Sequence, residues 1–234
     1  MKQRYGSPRM AAELKARGHE CSENTVAELM RGHGIRAKAP RRFVRTTDSR
    51  HRLPVAGNVL DREFDPPEPN AAWAADITYI PTADGWLYLA VVEDLFSRMI
   101  VGWSMAETME SRLVVDALEM AVRGRLPGDG LVAHSDRGSQ YASDHYRRVL
   151  GRHGIACSMS PVAQCWDNAP VESFIGRLKC EVGIEPGAMF ATREEAQAVM
   201  FEYLDVFDNR VRRHSSPGFV SPEEFERTYH QTRR

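Results

Sequence analysis

Three carboxylates stand in contexts that could do chemistry. Asp76 lies inside the otherwise apolar run AADITYI, where a carboxylate facing a core is costly unless something pairs with it. Asp136 closes the apolar run LVAHSD and opens the polar turn DRGSQY. Glu172 sits in APVESFIGRLKCEV, bordering the stripe formed by Val171, Phe174, Ile175, Leu178 and Val182. Singly, each has an ordinary account: an edge-strand polar residue, a turn residue, an exposed acid in a first helical turn. As a set, they are the oxygen donors that hard divalent cations such as Mg²⁺ prefer. Two such ions about 3.5–4 Å apart can activate an attacking oxygen and stabilise a leaving one in an in-line phosphoryl displacement. Spacing alone leaves open whether the three side chains converge.

The elements that would position them can be read from periodicity and turn chemistry. AWAADITYI (71–79) and WLYLAVVED (86–94) flank the turn signal PTADG, and RMIVGWSM (98–105) follows as a third strand. Residues 111–123 carry apolar side chains at 113, 114, 117, 118, 121 and 122, which predicts a helix with one buried stripe. GLVAHSD (130–136) reads as a short strand, 145–154 as helix and IACSM (155–159) as strand. A loop over 160–167 precedes a helix from about Asn168 to Val182, and a longer helix runs from Thr192 to about Arg213. This order predicts an α/β fold with a mixed sheet. Upstream, 7–17 and 23–31 read as a short helical hairpin, with Ser7 placed to cap the first helix and Ser22 the second.

Charge sharpens the division. The overall formal charge is only −1, yet residues 1–52 hold 13 Lys/Arg against 5 Asp/Glu, and residues 53–110 hold 2 against 10. The first segment has the electrostatic footprint of a phosphate-binding arm, with Arg41, Arg42 and Arg45 in its densest part, RAKAPRRFVRTTDSRHR. The expected organisation is a helix-turn-helix-like DNA-binding segment over 1–35, a basic then Pro-rich linker over 36–70, a catalytic core over 71–226 and a tail over 227–234. No run approaches the roughly 18 apolar residues of a membrane span, and the start MKQRYGSPRM lacks an apolar secretory core, so a cytoplasmic location is expected. Cys21, Cys157, Cys165 and Cys180 form no C-x-x-C pair and are expected as free thiols. His134 invites a zinc reading, but no second His or Cys stands at ligand spacing, and a buried supporting histidine is expected.

The segments WAADITYIPTADGWLYLAVVEDLFSRMIVGW, HSDRGSQY and DNAPVESFIGRLKCE follow in order, with 35 residues between Asp136 and Glu172. FDNRVRRHSSPGFVSPEEFE comes last, at 207–226. On these motifs the chain resembles the OrfB-type transposases of bacterial insertion sequences, within the DDE superfamily that includes retroviral integrases. The resemblance implies an RNase H-like (integrase catalytic core) mixed sheet flanked by helices, behind a small N-terminal helical hairpin. It implies that Asp76 bridges two Mg²⁺ (or Mn²⁺) ions, with Asp136 completing one site and Glu172 the other. The implied activity is 3′-end cleavage of DNA followed by strand transfer. It also implies DNA contacts for Lys179, Gln140 and Asn168, with Lys179 two helical turns past Glu172 on one face. Asn168 is further expected to cap its helix. The implied partners are DNA (element ends and target), a second copy of the chain on that DNA, and an OrfA-type product of an upstream frame. Two rival readings are a metal nuclease of the same fold without strand transfer, and a DNA-binding remnant without catalysis. Arg210, Arg213 and His214 match a late N-R…R-H pattern whose role the residues do not reveal.

Overall fold

The computed structural model describes residues 3–38, 53–161, 165–184, 187–216 and 218–233. Its centre is a five-stranded sheet in the order β3-β2-β1-β4-β5. β1 (Ala72–Thr82), β2 (Gly85–Asp94) and β3 (Met99–Ala106) form an antiparallel meander, while β4 (Val132–Ser135) and β5 (Ala156–Met159) continue the sheet parallel to β1. This is the expected mixed sheet, because tight turns join the first three strands and helices must cross over to the last two.

Strand alternation sorts two cores. Trp73 and Ala75 of β1, Ala90 and Val92 of β2 and Ala133 of β4 face α3 (Ser111–Arg125) and α4 (Asp144–Arg152). Ala72, Ala74 and Ile80 of β1, with Leu89 and Val91 of β2, face α5 (Ala169–Val182) and α6 (Arg193–Phe201) through Phe174, Leu178 and Met200. By the same alternation, even-numbered Asp76 and His134 belong to the α5 face, and Asp136 follows directly after β4. α5 opens with Pro170 in its first turn and ends at Gly183 in the left-handed conformation (φ 91°), so both ends are set locally. Where β3 meets α3, a Cβ on Gly102 would come within 2.2 Å of the Ala117 carbonyl oxygen, so only glycine permits that approach.

Several boundaries differ from the sequence reading. α1 (Ser7–Ala16) starts after Gly6 without a side-chain cap, so Ser7 is its first residue rather than its cap; Ser22 does cap α2 (Glu23–Gly32), accepting from the Thr25 N–H. The segment expected as linker joins the fold well before Ala71: Leu60 is buried in the α5-side core, and Ser158 Oγ accepts the N–H groups of Val59 and Leu60. Sequence composition cannot show such contacts, because the partner lies about a hundred residues away. The helix expected over 192–213 is α-helical only to Phe201 and then turns π-helical over Glu202–Asp208, which buries Tyr203, Leu204 and Asp208 together. α7 (Pro222–Thr232) runs across the tail boundary placed at 226.

The N-terminal hairpin is tied to the body at the C-terminal segment. Tyr5 Oη accepts the Arg213 N–H at 3.1 Å, Arg9 Nε donates to the Arg213 carbonyl, and Glu13 pairs with Arg213 at 2.6 Å. Arg213, whose role was open, is therefore the clasp between α1 and the core. Arg210 makes an exposed pairing with Glu223.

Candidate active site

The parallel pairing of β1 with β4 does the first part of the assembly. Its last register pair is Ala75 with Ser135, so the next residue on each strand, Asp76 and Asp136, stand side by side where the strands separate. Adjacent strands lie about 4.8 Å apart, and alternation along β1 puts Asp76, like Ala72 and Ala74, on the α5 face. Each carboxylate is steadied by a local donor: Asp76 Oδ1 accepts the Ile77 N–H and Asp136 Oδ1 accepts the Gly138 N–H, both at 2.8 Å. Glu172 arrives on the first turn of α5, exposed, beside the buried stripe of Val171, Phe174, Ile175 and Leu178.

Electrostatics show that the three share one region. Burial pushes the Asp76 carboxyl well above the usual carboxylate range, and the charges of Asp136 and Glu172 push it further. The Ile77 N–H and Lys179 pull the other way. Among the described residues, no group of three or more His, Cys, Asp or Glu side chains is gathered closely enough to hold an ion as they stand. The donor set itself, carboxylate oxygens without sulfur or imidazole, suits Mg²⁺ or Mn²⁺ and not zinc.

The residues expected at DNA are placed unevenly. Lys179 is 6% exposed, with its ammonium 4.5 Å from the Tyr79 ring centroid and close enough to Asp76 for attraction. Burial lowers its pKa, against the pull of Asp76. Lys179 thus lies buried beside Tyr79 and within reach of Asp76. Asn168, 3% exposed, makes no capping bond to its own helix. Its Nδ2 donates to the Ala75 carbonyl at 3.1 Å, one residue before Asp76, so its work is to pin the start of α5 against β1. Gln140 is half-buried and donates to the Met109 carbonyl, joining the loop after Asp136 to the loop before α3. Arg41, Arg42 and Arg45 lie outside the described residues.

His134 is buried between Ser158 and Ser160, at 2.8 and 3.0 Å, and burial drives its pKa down to about 4 despite nearby Asp167. It is the supporting histidine expected and stays neutral at physiological pH. Sequence reading missed its neighbour. Asp167 is buried, takes Arg62 Nε at 2.6 Å and Asn58 Nδ2 at 3.0 Å, and so anchors the segment before the core to the turn that launches α5. The signal available was an acid and an amide, Asp167 and Asn168, directly before a helix.

Sequence reading also missed a charge cluster on the other flank of α5. Glu181 accepts Arg212 Nη2 at 2.6 Å and Tyr203 Oη at 2.9 Å. Asp208, fully buried, has Arg177, Arg212 and His214 at 3.6, 3.7 and 3.5 Å. The late motif thus acts through Arg212 and His214, locking the C-terminal segment to α5.

Comparison with known proteins places this site in context. Residues 66–165 and 153–222 each match an integrase core domain family, and residues 1–43 match an HTH-like domain family. The chain is 47% identical over 225 residues to "Transposase InsF for insertion sequence IS3A" of Escherichia coli (strain K12), covering 96% of this chain and 77% of that one. It is 44% identical over 227 residues to an uncharacterized 31 kDa protein of insertion element IS600 from Shigella sonnei, covering 97% and 83%. In three dimensions it resembles a chain of the simian T-cell lymphotropic virus intasome bound to PP2A regulatory subunit B56 gamma, at TM-score 0.57 and 15% identity, covering 94% of this chain and 74% of that one. It also resembles the HTLV-2 integrase catalytic core domain in complex with magnesium, at TM-score 0.51 and 18% identity, covering 68% and 98%.

Proposed function

The chain belongs to the IS3-type insertion-sequence transposases with an integrase core, and from that premise we propose that Asp76, Asp136 and Glu172 are its catalytic, metal-holding carboxylates. It is a polynucleotidyl transferase of the DDE type, acting on DNA. The observation that carries the residue assignment is the β1–β4 register, which sets Asp76 beside Asp136, together with the charge of Glu172 felt at Asp76.

Asp76, flanked by both partners, would contribute to two ions, Asp136 to one and Glu172 to the other. Divalent cations held there supply the Lewis acidity that in-line phosphoryl displacement needs at its attacking and leaving oxygens. The protein's own share is positioning. The β1–β4 edge fixes two carboxylates on a rigid sheet, and the Asn168 bond to Ala75 fixes the approach of the third. Lys179 offsets the carboxylate charge at Asp76. Two chemically similar steps follow. Water attacks the phosphodiester at the element's end and frees a 3′-hydroxyl, which then attacks a target phosphodiester. No covalent link between protein and DNA is required. Two element ends must meet, so at least a dimer forms on DNA, with an upstream-frame partner supplying further end recognition. No described helix is long and apolar enough to cross a membrane, and a cytoplasmic site of action follows from the substrate.

The test is strand transfer of a pre-cut 3′-hydroxyl end with Mg²⁺, comparing wild type with Glu172→Gln. Joined product from wild type and none from the variant is expected. Equal joining by both removes Glu172 from the site. Hydrolysis without joining by wild type would instead favour a plain nuclease.

A further inference from the structure

A cavity of about 380 Å³ lies on the far flank of α5 from the carboxylates. Ser173 and Arg177, which line it, are one and five positions past Glu172, so they are turned roughly 100–140° from that side chain around the helix. Arg9, Arg98 and Arg212 complete a set of four guanidinium groups around it, with His214 beside them. Two carboxyls, Asp65 and Glu93, line the cavity with them, and behind its wall Asp208 lies 3.6 Å from Arg177 and 3.7 Å from Arg212 while Glu181 holds Arg212.

Much of this donor capacity is unspent. Arg98 donates through Nη2 to Asp65 and the Phe64 carbonyl, but its Nη1 is buried without a hydrogen-bond partner among the described residues. Arg177 approaches Asp208 only to 3.6 Å, and its Nε and Nη2 are buried without a hydrogen-bond partner among the described residues. Glu93, 2% exposed, has Oε2 likewise unpartnered. Burial lifts Glu93 to about 7, against Arg98 and Arg177, so near neutrality it is often protonated and can donate as well. Arg212 is committed to Glu181 and contributes fixed positive charge. Buried N–H groups without acceptors are costly, and the acceptor that several forked guanidiniums fit best is a phosphate with its oxygens in a fixed array.

We infer that this cavity is a second DNA site, receiving one backbone phosphate of a strand that crosses the exposed side of α5 away from the carboxylates. Arg98 and Arg177 are its main donors, and Ser173, Ser215 and Ser216 stand at its wall. The inference rests on DNA being the substrate. Because α1 supplies Arg9 and the late motif supplies Arg212 and His214, the site also joins the N-terminal hairpin, the C-terminal segment and the catalytic helix at one phosphate.

The experiment measures binding of the full chain to a duplex of roughly 30 bp across a KCl series, in EDTA so that no cleavage intervenes. Arg177→Gln is expected to reduce the slope of log affinity against log salt by about 1, the signature of one lost phosphate contact. Ser216→Glu, which places a negative charge at the exposed rim without touching the buried ions, is expected to weaken binding as well. Gln197→Glu on α6, an equal charge change elsewhere, controls for net charge. Wild-type slopes and affinities in both cavity variants overturn the inference, and Ser216→Glu decides alone if Arg177→Gln does not fold. Inorganic phosphate is the competing probe. If it raises the melting temperature of wild type but not of Arg177→Gln while DNA binding is unchanged, the cavity takes the free ion and the DNA assignment fails. Strand transfer is read separately, so failure of the carboxylate assignment and failure of this cavity give different results.

Discussion

α5 is flanked by two sets of charges built on opposite principles. Toward β1, Asp76 is pushed up by burial and by the like charges of Asp136 and Glu172, with Lys179 as the nearby counter-charge. Toward the C-terminal segment, Glu181 and Asp208 are met by Arg177, Arg212 and His214. Burial alone would raise Asp208, yet His214, Arg177 and Arg212 hold it well below the usual carboxylate range. The balanced flank is a structural lock. On the proposed assignment, the unbalanced flank is the side that divalent cations would neutralise. If the assignment holds, one side of this helix stabilises the fold and the other costs stability until a cation binds.

The contrast can be broken at several points. The largest effect is expected on the balanced side: Arg212→Leu strands Glu181 and Asp208 and should cost about 3–5 kcal/mol in urea unfolding. Unchanged stability there would mean the lock is ornamental. Glu93→Gln comes next and carries a pH signature. Because burial raises this carboxyl from 4.5 to about 7, wild type is at full stability below about 4.5 and loses stability as pH climbs to about 7. The variant avoids that loss, so it should match wild type in acid and exceed it at pH 8 by something on the order of 3 kcal/mol. A pH-independent difference would show that Glu93 is not held so. Asn168→Ala removes the tie between α5 and β1, with an expected loss of about 1–3 kcal/mol. It should also cut strand transfer while leaving DNA binding intact, and a parallel fall in both would count against pure positioning. The smallest stability effect is, like that of Glu93→Gln, a gain. Without divalent ions, Asp76→Asn should gain about 0.5–2 kcal/mol while joining activity is lost. Mg²⁺ should then raise the melting temperature of wild type and not of the variant. A destabilised variant would place Asp76 with the structural charges instead.

Much of the frame is legible without coordinates, because it depends on local periodicity and turn chemistry. The β1–β2–β3 meander follows from alternation and the PTADG turn, and α5 from its stripe, its Pro170 start and its Gly183 end. Asp76 announces itself as an acid in an apolar strand, and Asp136 as the acid where a strand gives way to a turn. Periodicity also puts Lys179 on the face of Glu172, but cannot say that Lys179 is buried against Tyr79 of β1 and near Asp76. Residues 53–62 read as linker by composition, and only their bonds to Ser158 and Asp167 make them part of the core. Arg212 was passed over for its neighbours because nothing local distinguishes three basic residues near a chain end.

What this sequence determined alone is the set of elements and the chemical type of each functional residue, since both follow from short-range sterics and hydrophobic pattern. What tertiary structure decided is which charges meet. Strand register, helix docking and the return of the C-terminal segment set those distances across 30 to 200 residues, and electrostatic energy depends on distance in space, which a linear order of residues does not contain.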